Sequence, residues 1–339
     1  MKRVFGALVV ALFAAVAVTA TWPSVLRVER EFPFAQIVAL RPLLIGAFVA
    51  IAAFFLLLSL GRRIRAFCLW IVVVSLVAAV GGAATLAVRG LGAETLPEKT
   101  ADSIRVMTWN TAGAATDAET IAETAVAMQA DIVALPETTM DTGRAVAVAM
   151  GERGRPMWAH VDSYDGPDSW AANSTALLIS PELGDYAVIE SEAAGTSNTT
   201  IVPSAVAMPV DGDGPVVIAV HAVAPRPEEM SSWRSDLQWL ADQCATDDVI
   251  MAGDFNATLD HMARLGIDDA DVGRCHDAAR STGNGGIGTW PTDLPAPLGA
   301  PIDHIMATDA WRATGSVVIS SLDDSGSDHR PLVVQYTRR

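Results

Sequence analysis

Three stretches without a single charged side chain, at roughly 4–22, 42–60 and 66–88, fall near the start of the chain. A helix needs about 20 apolar residues to cross a bilayer. In lipid the backbone must satisfy its own hydrogen bonds, so such stretches are held to the helical form. Residues 1–92 are therefore expected to form a membrane anchor with three transmembrane helices. Lys2 and Arg3 ahead of the first stretch also suit a cleavable export signal, and two spans would remain after cleavage. Length and lack of charge argue against three buried core helices.

Basic residues bias the orientation. Lys2 and Arg3 open the chain, and Arg62, Arg63 and Arg65 fill the loop between the second and third stretches. Placing both groups in the cytoplasm leaves the C-terminal part outside, although Arg27, Arg30 and Arg41 of the first loop pull the other way. The expectation is a multi-pass protein of the cell membrane with an extracytoplasmic domain.

Composition changes sharply after the third stretch. Of 23 Lys+Arg and 39 Asp+Glu in the chain, residues 95–339 keep 14 and 36, a formal charge of −22. Lys99 is the one lysine among them, and no basic run occurs. Nucleic-acid binding draws on Lys and Arg to displace phosphate counterions, so this balance counts against DNA or RNA as a tightly held substrate. Cys68 lies in a span; Cys244 and Cys275 can pair in an oxidising compartment or remain as buried thiols.

A polar linker is expected at 93–103, then one domain over 104–339. Alternating or continuous apolar runs predict strands at 104–109, 130–137, 175–180, 215–220, 248–253, 301–306 and 331–336. Thr116 and Glu119 have capping-box spacing ahead of a helix that runs to about 129. Trp233, Leu237 and Leu240 share one helical face. Many strands and few helices favour an α/β layered sandwich.

Polar residues suited to metal or phosphate chemistry recur directly after the apolar runs: Asn110, Glu137, His221, and Asp254 with Asn256. One polar residue after a strand is ordinarily a turn former. A series of them points instead to a site built beyond strand ends.

The segments TWN (108–110), LPET (135–138), HAVAP (221–225), GDFNAT (253–258), TWP (289–291), PIDHI (301–305) and SDHRP (327–331) resemble, in this order, the endonuclease/exonuclease/phosphatase superfamily related to DNase I. GDFN together with SDHRP is the specific part, and the resemblance covers essentially all of 104–339. The anchor resembles that of the membrane-bound bacterial branch. The resemblance implies a four-layered α/β sandwich and metal-dependent hydrolysis of phosphate esters.

Residue by residue, it makes Glu137 the principal ligand of Mg²⁺ or Mn²⁺, with Asn110 and Asp328 completing the metal site. Hard divalent cations of this kind take oxygen donors, often one or two carboxylates. The catalytic set it implies is Asp254 to position water, Asn256 and His221 at the phosphate, and His329 oriented by Asp303. His329 is left either as a cation that stabilises phosphoryl charge or as the base. Asn173 is a candidate lining residue, His304 a bystander, and His160, His261 and His276 surface residues. The position where some family nucleases carry an acid, two after the TWN asparagine, is Ala112 here. That departure and the acidic domain turn the expected substrate from nucleic acid toward a lipid-borne or other envelope phosphate. The rivals are an external nuclease and a catalytically silent binder of phosphorylated ligands.

Overall fold

The computed structural model describes residues 2–92, 96–113, 115–164, 172–191 and 196–339. The chain divides into two compact units, Met1–Arg89 and Gly90–Arg339. The first unit holds α1 (Lys2–Thr21), α2 (Phe34–Ala39), α3 (Arg41–Leu58) and α4 (Arg65–Arg89). Three of its segments, Val4–Thr21, Arg41–Leu58 and Arg65–Arg89, are long and apolar enough to cross a membrane. Leu8, Leu12, Phe54, Leu57, Val77 and Val80 all point outward. Helices apolar on every face suit a lipid surround better than water. Within the unit, Arg41 donates to the Thr21 carbonyl at 2.9 Å. Gly81 lets α4 approach Trp22, because a Cβ there would lie 2.1 Å from the indole ring.

The second unit opens with β1 (Ser103–Thr108), α5 (Ala118–Ala127), β2 (Ile132–Pro136), α6 (Met140–Glu152), β3 (Trp158–Ser163) and β4 (Ser174–Ile179). It continues through β5 (Tyr186–Ile189), β6 (Ala205–Pro209), β7 (Val216–His221), α7 (Met230–Gln243) and β8 (Val249–Asp254). Three short strands, β9 (Leu265–Gly266), β10 (Val272–Gly273) and β11 (His276–Asp277), lead to α8 (Ala278–Ser281). The chain ends with β12 (Asp303–Ala307), β13 (Trp311–Val318) and β14 (Leu332–Arg338).

Two six-stranded sheets result, ordered β13-β14-β1-β2-β4-β3 and β11-β12-β8-β7-β6-β5. Side chains alternate across a strand, and the sequence uses this to feed two cores. Val106, Ile132, Ala134, Leu177 and Val334 join Ala219, Ile250, Ala252 and Ile305 between the sheets. Their neighbours Met107, Val133, Leu135, Leu178 and Val333 turn the other way and pack with Ile121, Ala125, Val146 and Met150 of α5 and α6. β7 and β8 are parallel, so α7 between them crosses over one face of its sheet. The inner face is taken by the first sheet, which leaves α7 outside. The order helix, sheet, sheet, helix is the four-layered sandwich that the resemblance implies.

Residues 93–95 of the expected linker lie outside the described residues. The stretch 97–99 is docked on the domain: Arg105 donates to the Pro97 carbonyl, and Lys99 pairs with Asp131 at 2.6 Å. Ahead of it, Gly92 N–H donates to Gly283 O, and Gly286 N–H donates to Gly90 O. Helix α5 starts one residue later than the capping-box spacing predicts. Asp117 is its cap, accepting from Thr120 N–H at 2.9 Å, whereas the Thr116 hydroxyl is buried without a partner. A carboxylate makes the stronger acceptor at a helix N-terminus. Cys244, the residue directly after α7, is joined to Cys275 by a disulfide across 31 positions, with the Cα atoms 5.9 Å apart.

Candidate active site

The two sheets converge at one rim. Asp254 ends β8 and Asp303 begins β12, and the two are direct partners in antiparallel register. Partners in such a pair project to the same face, so the ladder itself forces two carboxylates together. His221 ends β7 and is the parallel partner of Asp254. Gly253 permits this junction: its φ is +156°, and a Cβ would meet Val220 O at 2.0 Å. Asn110 and Glu137 leave the ends of β1 and β2 in the other sheet.

His329 comes from the loop before β14 and enters between the two aspartates. Its Nδ1 lies 2.8 Å from Asp303 Oδ2, and its Nε2 lies 3.8 Å from Asp254 Oδ2. Burial disfavours the charged ring, but the Asp303 and Asp254 charges and the Asp303 hydrogen bond outweigh it and raise the pKa to about 10. The ring is therefore an imidazolium at neutral pH, which favours the cation over the base. For Asp254, burial and then the charge of Asp303 push the carboxyl up, opposed by His329.

Asn110 ties the sheets together. Its amide nitrogen donates to Glu137 Oε1 and to Asp254 Oδ2, each at 3.0 Å, and its oxygen accepts from Ala112 N–H at 2.9 Å. In this arrangement it positions two carboxylates, and its oxygen, which accepts one N–H, keeps a second lone pair. Glu137 has φ +54°, a strained conformation for a non-glycine residue. Its pKa is raised, first by burial, with the Asn110 hydrogen bond and His329 acting against it.

His221 is fully enclosed, and burial, then the charge of His329, lowers its pKa to about 3. Its 3.8 Å approach to Glu137 Oε1 is thus a contact of a neutral ring with a carboxyl, not an ion pair. Asn256, at φ +47°, gives its backbone N–H to Asp254 Oδ1 at 2.8 Å and its amide to Ala222 O at 2.9 Å. Asp328 sits at the mouth with its side chain 59% exposed and its Oδ1 4.0 Å from His329 Nε2.

Asp254, Asp303 and His329 each bring one possible ligand atom within 4.8 Å of the others. The expected set is gathered at the same rim: Asn110 bonds to Glu137, and Asp328 lies at the mouth beside His329. The donors at this rim are mostly carboxylate oxygens, and Asp303 Oδ1 is buried without a partner. That chemistry fits a hard divalent cation, with Glu137 and the exposed Asp328 as the accessible donors.

Several positioning residues lie within the motif segments without a role that the resemblance assigns them. Trp109 Nε1 donates to His329 O at 2.9 Å, and Ser327 Oγ donates to Asn110 O at 2.6 Å. Trp290 Nε1 holds Asp328 Oδ2 at 2.9 Å, and the Thr289 hydroxyl accepts from Asp303 N–H at 3.1 Å. Arg330 is fully buried; it pairs with Asp323 and donates to the carbonyls of Gly288, Pro291, Thr292 and Leu294. Its place in SDHRP, in a domain with few basic residues, is the signal by which it could be found. Asn173 is buried just before β4, whose Thr175 hydroxyl lies 3.5 Å from His221 Nδ1.

The histidine expectations change in part. His261 is 1% exposed, not a surface residue, because Thr258 N–H donates to its Nδ1 and Trp233 packs edge-on against it. His160 and His276 are half-buried. His304 is buried between Asp277 Oδ2 at 2.7 Å and Ala257 O at 2.8 Å. A cavity of about 310 Å³, lined in part by His276, Arg280, Trp311 and Arg339, opens near Ala307 at the other end of β12 and involves none of these motifs.

Comparison with known proteins bears on the fold and the family. The model of the endonuclease/exonuclease/phosphatase family matches residues 107–329. An endonuclease/exonuclease/phosphatase from Beutenbergia cavernae is 20% identical, covering 70% of this chain and 72% of its own, with a TM-score of 0.53. One from Bacteroides vulgatus is 15% identical over 71% of this chain and 100% of its own, with a TM-score of 0.53. A humanized D. rerio TDP2 is 17% identical over 70% and 100%, with a TM-score of 0.52. These likenesses establish the fold. No curated protein matches the chain. A match across most of the chain, on a four-layered fold with the motif residues gathered at one rim, means that this protein belongs to the endonuclease/exonuclease/phosphatase family.

Proposed function

We propose that the chain is a membrane-anchored, metal-dependent phosphoesterase that hydrolyses a lipid-linked or other envelope phosphate by in-line attack of water. The observation that carries this reading is the convergence of Glu137, Asn110, His221, Asp254, Asp303 and His329 on one rim. Family members are hydrolases of phosphate esters, and their general use of a divalent cation supports Mg²⁺ or Mn²⁺ at Glu137, with Asp328 reaching in from the mouth. When bound there, the cation supplies charge neutralisation for the phosphoryl oxygens.

The protein's own residues do the rest. Asp254 is held by Asn110 and by the Asn256 N–H, which leaves it able to orient a water for attack. The His329 imidazolium, fixed by Asp303, stabilises charge developing on the phosphoryl group. His221, neutral and rigid, offers a ring nitrogen beside Glu137.

Two observations support the cellular setting. Three helices are apolar enough to span a membrane, and the Cys244–Cys275 disulfide suits an oxidising compartment outside the cytoplasm. The acidic domain supports a substrate other than nucleic acid. The test uses the full chain in detergent micelles with Mg²⁺ or Mn²⁺, offered a micellar lipid phosphate and supercoiled plasmid in parallel. Phosphate release from the lipid with little nicking is the expected result. Efficient nicking would make the protein a nuclease, and no turnover of either substrate or of a chromogenic phosphodiester would make it a binder.

A further inference from the structure

The sandwich has an open edge where β3 closes one sheet and β5 closes the other. His160 and Asp162 lie two residues apart on β3 and so share a face; Glu190 comes directly after β5. One ligating atom from each of these three side chains lies within 4.8 Å of the others. His160 Nε2 and Asp162 Oδ1 are 3.1 Å apart, and Trp158 stacks on the imidazole with ring centres 6.3 Å apart.

Asp162 is 6% exposed, and its second oxygen, Oδ2, is buried with no hydrogen-bond partner. A carboxylate with one oxygen on an imidazole and the other sealed from water without a donor is unfavourable. A cation in the group removes that deficit. The spacing also suits one. Ligands bound at 2.0–2.2 Å around a tetrahedral ion stand about 3.4 Å apart, close to the His160–Asp162 separation. Glu190 is exposed and has the freedom to close the remaining gap.

We propose that His160, Asp162 and Glu190 form a second divalent-metal site, separate from the strand-end centre, which takes a first-row cation such as Zn²⁺. A nitrogen donor with two carboxylates favours Zn²⁺ over Mg²⁺. The site would join the edge strands of both sheets with one ion. It lies on the same rim as the active site, because Asp162 pairs with Thr175 and Thr175 with Pro136, the neighbour of Glu137. It shares no residue with the centre assigned to hydrolysis, so either can fail without the other.

The test is calorimetric titration of Zn²⁺ into the full chain, purified in detergent without a histidine tag and stripped with chelator. Glu190→Gln changes an exposed side chain and serves as the variant least able to disturb folding; His160→Gln is the second. Each is expected to lose one equivalent of Zn²⁺ or to bind it about tenfold or more weakly, while Glu137→Gln and Asp254→Asn keep that equivalent. Wild-type stoichiometry and affinity in both Glu190→Gln and His160→Gln would overturn the proposal. So would a wild-type protein with no Zn²⁺ uptake beyond what Glu137→Gln removes, leaving His160 and Asp162 as an ordinary ion pair.

Discussion

His329 Nδ1 lies 2.8 Å from Asp303 Oδ2, and Asp303 is the register partner of Asp254 across β12 and β8. One imidazole is thus bracketed by two carboxylates that the sheet itself brings together. The charge state of the ring follows from this bracket, and the bracket follows from strand pairing.

Asp303→Asn removes the larger of the charges that hold the imidazolium. With the folded-state pKa at about 10, the wild-type ring stays charged throughout the neutral range. Without Asp303 it should titrate closer to its ordinary value of 6.5. Hydrolysis is expected to fall by roughly 10²–10³-fold, and the alkaline limb of the pH–rate profile to move to lower pH. A lowered rate with an unmoved alkaline limb would mean that Asp303 acts only on structure.

Trp290→Phe removes the indole donor to Asp328 Oδ2 while keeping an aromatic ring. If Asp328 contributes to the metal site, apparent affinity for Mg²⁺ or Mn²⁺ should weaken about tenfold, with a smaller change in rate at saturating metal. A metal titration of phosphodiester hydrolysis reads both quantities. Unchanged metal affinity would remove Asp328 from the site.

His304 and Asp277 form a buried pair at 2.7 Å. Burial works against the charged ring, but the hydrogen bond and charge of Asp277 outweigh it, and the pKa is raised. A His with a raised folded-state pKa contributes stability that is fully present below its ordinary value and is lost as pH rises through the folded value. Asp277→Asn should therefore cost more unfolding free energy at pH 6 than at pH 9, up to about 3–5 kcal/mol at the acid end, read from denaturant unfolding at each pH. Part of the loss should persist at all pH values, because Asp277 Oδ1 also caps α8 through Arg280 N–H. Equal losses at both pH values would reduce the role of Asp277 to that cap.

The Cys244–Cys275 bond closes a loop of 31 positions, for which chain entropy gives a stabilisation of roughly 3–4 kcal/mol. Cys244→Ser, or thiol reduction, should lower the Tm of the second unit by about 6–16 °C. Thermal unfolding with and without reductant measures it. No shift would mean that the two thiols are free in the purified protein.

Much of the fold is legible in the sequence because strand periodicity is local. The runs at 104–109 and 130–137 carry both core faces in their alternation, and β1 and β2 form there. The strands Trp158–Ser163 and Tyr186–Ile189 give no such signal, because they are short edges with polar or exposed positions. In helix Met140–Glu152, glycines and small residues blur the apolar face. The site residues are legible as strand-end acids, amides and histidines, but their partnerships are not. Asn110 meets Asp254 across 144 positions, and only strand order determines that its nitrogen faces the carboxylates. The burial of His261 likewise depends on Trp233 of a distant helix.

Hydrolysis of phosphate esters with a divalent cation is the activity proposed for the strand-end centre. It is tested most directly by the initial rate of hydrolysis of a chromogenic phosphodiester by the full chain in detergent, measured against Mg²⁺ or Mn²⁺ concentration for wild type, Glu137→Gln and His329→Ala. The expected result is a rate that saturates with metal, vanishes with chelator and falls by about 10²-fold or more in each variant. Metal-independent turnover, or variants as active as wild type, would contradict it.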